Sequence, residues 1–207
     1  MRLVAVGVSH RSAPVELREA IDFSRTGLDL ALTALAATHV AREAVVVSTC
    51  NRAEIYATAD TDAVAASCAR FIADYHGLAW DTIAPHVFML QGADAARHLF
   101  RVAAGLDSLV VGEPQILGQV KDAFAAASGH KSAGALTTRL FTTAFTVGKR
   151  VRSETGLGEG AVSVSYAAIA LARKIFGDLT GLNVLILGAG EMAKLTGVHL
   201  KAQPVRQ

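Results

Sequence analysis

At 207 residues, 52% hydrophobic and 18% charged, with a mean hydropathy of +0.37, the chain carries material for a sizeable core and too little charge for extensive disorder. Net charge is +2, but residues 1–130 hold 10 Lys/Arg against 14 Asp/Glu and residues 131–207 hold 10 against 4, which allows an acidic partner such as RNA on the second half. No apolar run approaches the ~18 residues of a membrane span, Met1–Gly7 is too short for a signal peptide, and the two cysteines argue against a disulfide framework, so a cytoplasmic location with no membrane partner is expected.

A first strand is expected over Leu3–Ser9. Pro14 then suits the first position of a short helical turn. Leu28, Leu32 and Leu35 fall on one side of a helix over Leu28–Ala37. Ala44–Val47 and Ala53–Ala57 read as strands flanking Thr49-Cys50-Asn51-Arg52, which puts a thiol and a guanidinium at a hairpin tip or strand-end corner. Val64, Cys68, Phe71, Ile72 and Tyr75 mark the buried face of a helix within Asp62–His76, so Cys68 is assigned to the core. Val87–Leu90 reads as a short strand. The order β-α-β-β-α-β is that of a ferredoxin-like split βαβ sheet, with the Cys50 loop at one edge of its open end.

From Asp94 the pattern turns helical, with Leu99, Val102, Ala103 and Leu106 on one face and Asp94, His98 and Arg101 on another. A second helix opens at Pro114 and runs to about Ala127. A third runs from Ala135 to about Ser153 and is stopped by Gly156 and Gly158. Gly156–Gly160 reads as a linker, ahead of a helix over Ser163–Phe176. Asn183–Leu187 has the continuous apolar run of a strand buried on both faces. Gly188-Ala189-Gly190-Glu191-Met192-Ala193 and a helical Lys194–Leu200 follow it. Strand, Gly-x-Gly-x-x-Ala turn and helix match the dinucleotide fingerprint, whose glycines let the backbone approach a pyrophosphate at a helix N-terminus.

The fold class expected is therefore α/β. An α+β catalytic domain with a split βαβ sheet covers 1–155, a linker and connecting helix cover 156–178, and the first part of a Rossmann domain covers 179–207. One strand and one helix of such a unit cannot bury their own faces, so the chain reads as part of a longer protein. The residue that selects NAD or NADP lies ~20 positions beyond the fingerprint, outside these residues.

Chemistry concentrates at two places. A thiolate is the attacking form of cysteine, and Arg52 can lower the Cys50 pKa from its usual ~8.5 or grip a carboxylate with its planar fork. In Leu106–Gln119, Pro114 at a helix start leaves Gly112 and Glu113 in the preceding loop, while Gln115 and Gln119 share a helix face. Ser108, Glu113, Gln115 and Gln119 suit a small zwitterion, with Glu113 on its ammonium and Arg52 on its carboxylate. A Glu113 that complements the helix dipole beside solvated glutamines accounts for the spacing equally well. His98 sits where proton transfer is feasible, although an ordinary surface histidine fits the pattern too. The other histidines make no ligand spacing with either cysteine, and no metal site is expected.

Four ordered segments resemble the glutamyl-tRNA reductase family: Gly7–Arg18, Ser48–Tyr56, Val111–Lys121 and Gly188–Ala193. The resemblance implies Cys50 as nucleophile and a glutamate pocket of Thr49, Asn51, Arg52, Ser108, Glu113, Pro114, Gln115 and Gln119. It also implies that His98 matters for activity, and that Gly188, Ala189, Gly190, Glu191, Met192 and Ala193 form the loop for NADPH. By the same resemblance glutamyl-tRNA(Glu) is reduced through a cysteine thioester to glutamate-1-semialdehyde, opening five-carbon synthesis of 5-aminolevulinate and tetrapyrroles. The implied partners are glutamate-1-semialdehyde aminomutase and a second copy; the family's spinal helix and dimerisation domain are absent from these residues. Two alternatives stay open: another thioester-forming, nicotinamide-dependent reductase of a free or CoA-linked acid, and a non-reducing chain that binds tRNA or a partner protein.

Overall fold

The computed structural model describes residues 2–61, 63–158 and 164–206. Strands β1 (Arg2–Ser9), β2 (Glu43–Thr49), β3 (Arg52–Ala59) and β4 (Phe88–Gln91) form an antiparallel sheet in the order β2-β3-β1-β4. This is the split βαβ arrangement that the element order implies. Val6 faces Ile55 across β1 and β3, and Thr49 faces Arg52 across β2 and β3, which leaves Cys50 and Asn51 as the tip of a tight hairpin on the edge strand β2.

Helix α1 (Val15–Ala20) follows Pro14, and α2 (Leu28–Ala37) has the bounds its leucine spacing predicts. Helix α3 (Val64–Tyr75) buries Cys68 completely, as its stripe requires. A short α4 (Trp80–Ile83) precedes β4, and α5 (Gly92–Ala103) follows it. Helix α5 ends before Leu106, so that residue belongs to the following turn. Next come α6 (Gln115–Gly129), α7 (Ala135–Glu154), α8 (Val164–Phe176) and α9 (Glu191–Lys201). Helices α3 and α5 pack on β1, α6 packs on β2, and α7 packs on β2 and β3. Every residue of β3 is buried. A strand buried at successive positions must be covered on both faces, because its side chains alternate.

Two local devices dock α7. Glu43 of β2 accepts the Thr137 N–H at 2.7 Å, the Thr137 hydroxyl at 2.8 Å and the Leu136 N–H at 3.3 Å, so a carboxylate of the sheet caps the helix N-terminus. Burial alone would raise its pKa; the hydrogen bonds from Thr137 and Leu136 outweigh burial and hold it below the ordinary value. Further along, a Cβ at Gly148 would stand 2.6 Å from the Ala103 carbonyl oxygen, so only glycine lets α7 approach α5 this closely.

The expected strand at Asn183–Leu187 is not formed. Among the described residues its only pairing is an isolated bridge between Asn183 and Arg206, and Leu185 and Leu187 are 82% and 86% exposed. A parallel strand is buried by neighbouring strands and by helices on both faces. Among the described residues this segment has no strand beside it. The linker expected over 156–160 and the helix start at Ser163 lie partly outside the described residues; 156–158 form a single tight turn.

Candidate active site

The β2–β3 hairpin tip faces α6 and the loop ahead of it across a cleft of about 580 Å³. Thr49, Cys50, Asn51 and Arg52 line one side; Ser108, Glu113, Gln115 and Gln119 line the other, with Leu109, Ile116, Gly118 and Asp122. Segments more than fifty residues apart in the chain thus meet as the zwitterion argument requires. Two expected residues are not in this lining. Pro114 caps α6, and its carbonyl accepts Nη1 of Arg152 at 3.1 Å. His98 sits behind the cleft.

Cys50 is exposed at the tip of the hairpin. Thr49 Oγ1 accepts the Asn51 N–H at 3.2 Å and closes the turn. Partial desolvation, followed by the Glu113 carboxylate, pushes the thiol above its ordinary pKa, and Arg18 pulls the other way. The cation acting on this thiol is Arg18, where sequence spacing suggests Arg52.

Arg52 is engaged elsewhere. It is 2% exposed, and its Nη1 donates to Glu54 Oε1 at 2.7 Å and to Asp107 Oδ2 at 3.2 Å. Nη2 donates to Asp107 Oδ2 at 3.3 Å and to the Asp107 carbonyl. Only Nε lacks a partner among the described residues. Asp107 Oδ1 also pairs with Nε of Arg11 at 2.7 Å. Glu54 Oε2 accepts the Tyr56 hydroxyl at 2.7 Å. Burial would raise the Glu54 pKa, but Arg52, then His98 and Tyr56, hold it at about 2. The ionised carboxylate only accepts, so His98 Nε2, 3.0 Å from Glu54 Oε1, carries the proton. His98 thereby reaches the cleft through Glu54 and Arg52, and it is no surface residue: its side chain is 14% exposed and packs against Phe88.

The opposite wall is pinned by backbone contacts. Arg152 of α7 donates Nη2 to the Glu113 carbonyl at 2.6 Å. Gly112 has φ +86°, and a Cβ there would meet the Leu157 carbonyl oxygen at 2.9 Å, so the turn into Glu113 needs glycine. Burial raises the Glu113 pKa, against the pull of Arg52. Ser108 is 7% exposed, and its buried Oγ has no hydrogen-bond partner among the described residues.

Residues 6–155 match the family described as glutamyl-tRNAGlu reductase, N-terminal domain. This chain belongs to the glutamyl-tRNA reductase family. It is 48% identical over 207 residues to the glutamyl-tRNA reductase of Geotalea uraniireducens (strain Rf4), covering 100% of this chain and 48% of that protein. Against that of Geobacter sulfurreducens (strain ATCC 51573 / DSM 12127 / PCA) identity is 50% over 200 residues, covering 96% and 46%. The solved glutamyl-tRNA reductase from Methanopyrus kandleri superposes with a TM-score of 0.71 at 37% identity, over 99% of this chain and 47% of that one. The chain spans about half the length of the curated relatives it matches.

In this member of the glutamyl-tRNA reductase family the Gly-x-Gly-x-x-Ala segment leads straight into α9, with Gly190 at the helix cap. Gly188 has φ +121°, and among the described residues nothing lies within 4 Å of a Cβ placed at Gly188 or Gly190. The side chains of Glu191 and Met192 lie outside the described residues. Sequence reading missed Glu54, Asp107, Arg11, Arg18 and Asp122 as parts of the site. Arg52, Glu54 and Tyr56 share one face of β3 by strict alternation, a signal that was available. Nothing local marks Asp107 or Arg18.

Proposed function

We propose that the cleft receives the glutamyl end of glutamyl-tRNA(Glu) and that Cys50 accepts the glutamyl group as a thioester. This is the covalent half of an NADPH-dependent reduction to glutamate-1-semialdehyde, on the route to 5-aminolevulinate and tetrapyrroles. The observation that carries the reading is an exposed thiol in one wall of a cleft whose other wall holds a carboxylate, two amides and a hydroxyl with no partner among the described residues.

In this mechanism the Cys50 thiolate attacks the ester carbonyl. The S–C bond forms, the C–O bond to the terminal ribose breaks, and the ribose oxygen takes a proton as the tRNA leaves. Covalent catalysis divides one difficult reduction into two steps. Sulfur donates little electron density into a thioester carbonyl, so this carbonyl accepts hydride more readily than an ester does. Glu113 holds the ammonium, and Ser108, Gln115, Gln119, Thr49 and Asn51 supply the remaining polar contacts. Arg52 reads the side-chain carboxylate through Nε, its one uncommitted donor. His98 acts by holding Glu54, and through it Arg52, rather than by carrying a proton to the leaving oxygen.

The backbone of Gly188, Ala189 and Gly190, with the first N–H groups of α9 at Glu191, Met192 and Ala193, fits the phosphates of a dinucleotide. When bound, NADPH supplies the hydride. On this reading 1–155 is the catalytic unit, 156–178 a linker and connecting helix, and 179–207 the first part of the cofactor domain. The whole protein is read as a cytoplasmic homodimer that hands its product to glutamate-1-semialdehyde aminomutase. No helix of the described residues is long and apolar enough to cross a membrane.

The test is direct. The chain is mixed with [14C]glutamyl-tRNA(Glu) without NADPH, quenched in acid, and digested for mass spectrometry. A glutamyl adduct on the Cys50 peptide, lost in Cys50→Ser, is expected; equal labelling of Cys50→Ser removes Cys50 from the mechanism. Labelling from glutamyl-CoA or free glutamate in place of the tRNA ester would point to a different acyl reductase.

A further inference from the structure

Of the charged groups around Cys50, Arg52 and Arg11 are committed to carboxylates among the described residues, whereas Arg18, Glu113, Asp22 and Asp122 have no charged partner there. Arg52 is shared between Glu54 and Asp107, and Arg11 pairs with Asp107. Asp22 accepts from the Ser48 hydroxyl at 2.9 Å and from Ser24 N–H at 2.9 Å. His10, whose backbone N–H donates to the Asn51 carbonyl, has its pKa lowered by burial and then by Arg52, which disfavours its charged form. Asp122 stands on α6 at the far side of the cleft. Arg18 is different. Its Nη1 donates to the Ala13 carbonyl at 2.8 Å, its Nε lies 3.4 Å from the Cys50 carbonyl, and no carboxylate pairs with it among the described residues. Glu113, which lines the same cleft as Cys50, is the carboxylate that acts most strongly against Arg18 on the thiol.

We infer that Arg18 is a positioning residue for the nucleophile: it ties the Cys50 loop to α1 through the backbone and supplies the uncompensated positive charge that favours the thiolate, opposed by Glu113. The inference deepens the proposed role of Cys50. It also gives Glu113 a second effect, because an ammonium bound there cancels its opposing charge and leaves Asp22 as the remaining carboxylate acting against Arg18 as substrate arrives. Directions of the thiol pKa agree: beyond burial, which raises it most, Glu113 and Asp22 raise it and Arg18 lowers it.

The experiment uses iodoacetamide and no tRNA, so it reads the thiol separately from acyl transfer. Alkylation of Cys50 is followed against pH in the wild type, Arg18→Met, Arg18→Gln, Glu113→Gln and the Arg18→Met/Glu113→Gln double variant. Cys68 stays silent, because burial pushes its thiol up to about 12. Near neutral pH, Arg18→Met is expected to react roughly two- to fivefold slower, the size of a partly exposed charge contact. It should converge with wild type once both thiols are fully ionised. Glu113→Gln should react faster by a similar factor, and the double variant should return towards wild type. An Arg18→Met profile that superimposes on wild type, or is slower by one factor at every pH, overturns the inference. Should Arg18→Met not fold, Arg18→Gln decides: a midpoint displaced to alkaline pH sustains the role of the charge, and an unmoved midpoint refutes it. Midpoints that move as expected while no glutamyl adduct forms would sink the proposed function and leave the inference standing.

Discussion

Glu54→Gln tests the network that holds Arg52. Glu54 is fully buried, with Arg52 at 2.7 Å, the Tyr56 hydroxyl at 2.7 Å and His98 Nε2 at 3.0 Å. Its carboxyl titrates at about 2 in the folded protein, against the ordinary 4.5. A depressed carboxyl pKa contributes stability that is fully present above the unfolded value and lost as pH falls towards the folded one. That difference corresponds to ~3 kcal/mol at neutral pH, at ~1.4 kcal/mol per pH unit. Removing one partner of a buried pair costs a similar ~3–5 kcal/mol. Urea unfolding of wild type and Glu54→Gln, followed by circular dichroism from about pH 7 down to about pH 3.5, reads it. The gap between the two proteins should be ~3 kcal/mol near neutrality and close by ~1 kcal/mol per pH unit below about pH 4.5. A gap that is the same at every pH would show that Glu54 is not held as an ion by Arg52, and the account of the site would fail with it.

Ser108→Ala removes a buried hydroxyl with no partner among the described residues; stability should hold or rise by up to ~1 kcal/mol while glutamyl transfer to Cys50 falls roughly tenfold, one hydrogen bond's worth. A stability loss with unchanged transfer would make the hydroxyl structural. Gly148→Ala would set a Cβ 2.6 Å from the Ala103 carbonyl oxygen and 3.1 Å from Leu117 Cδ1, so a loss of ~1–3 kcal/mol is expected; an unmoved urea midpoint would refute the close approach of α5 and α7. Native iodoacetamide labelling should modify Cys50 and spare Cys68, which reacts only in urea. Native modification of both would contradict the burial of α3.

Much of the fold was legible because its signals are local. Leu28, Leu32 and Leu35 delimit α2 by their own spacing, the stripe through Cys68 buries α3, and the strand order identifies the sheet. The cleft was legible in part for the same reason: a turn between two strands exposes Cys50, and i,i+4 spacing puts Gln115 and Gln119 on one face. Burial of Asn183–Leu187 was not, since an apolar run states that a strand can be buried and says nothing about whether neighbours lie beside it.

What the sequence by itself determined is most of the elements, the family and the residue types at the cleft. What only the tertiary structure decided is which charges those residues meet. Arg52 is neutralised by Asp107 from 55 positions away, and His98 reaches Glu54 across 44, while Arg18, with no signal of its own, comes to lie against the Cys50 loop. Periodicity is a property of neighbours along the chain. Coulomb and hydrogen-bond energies depend on distance through space, and that distance exists only once the sheet and helices have closed around it.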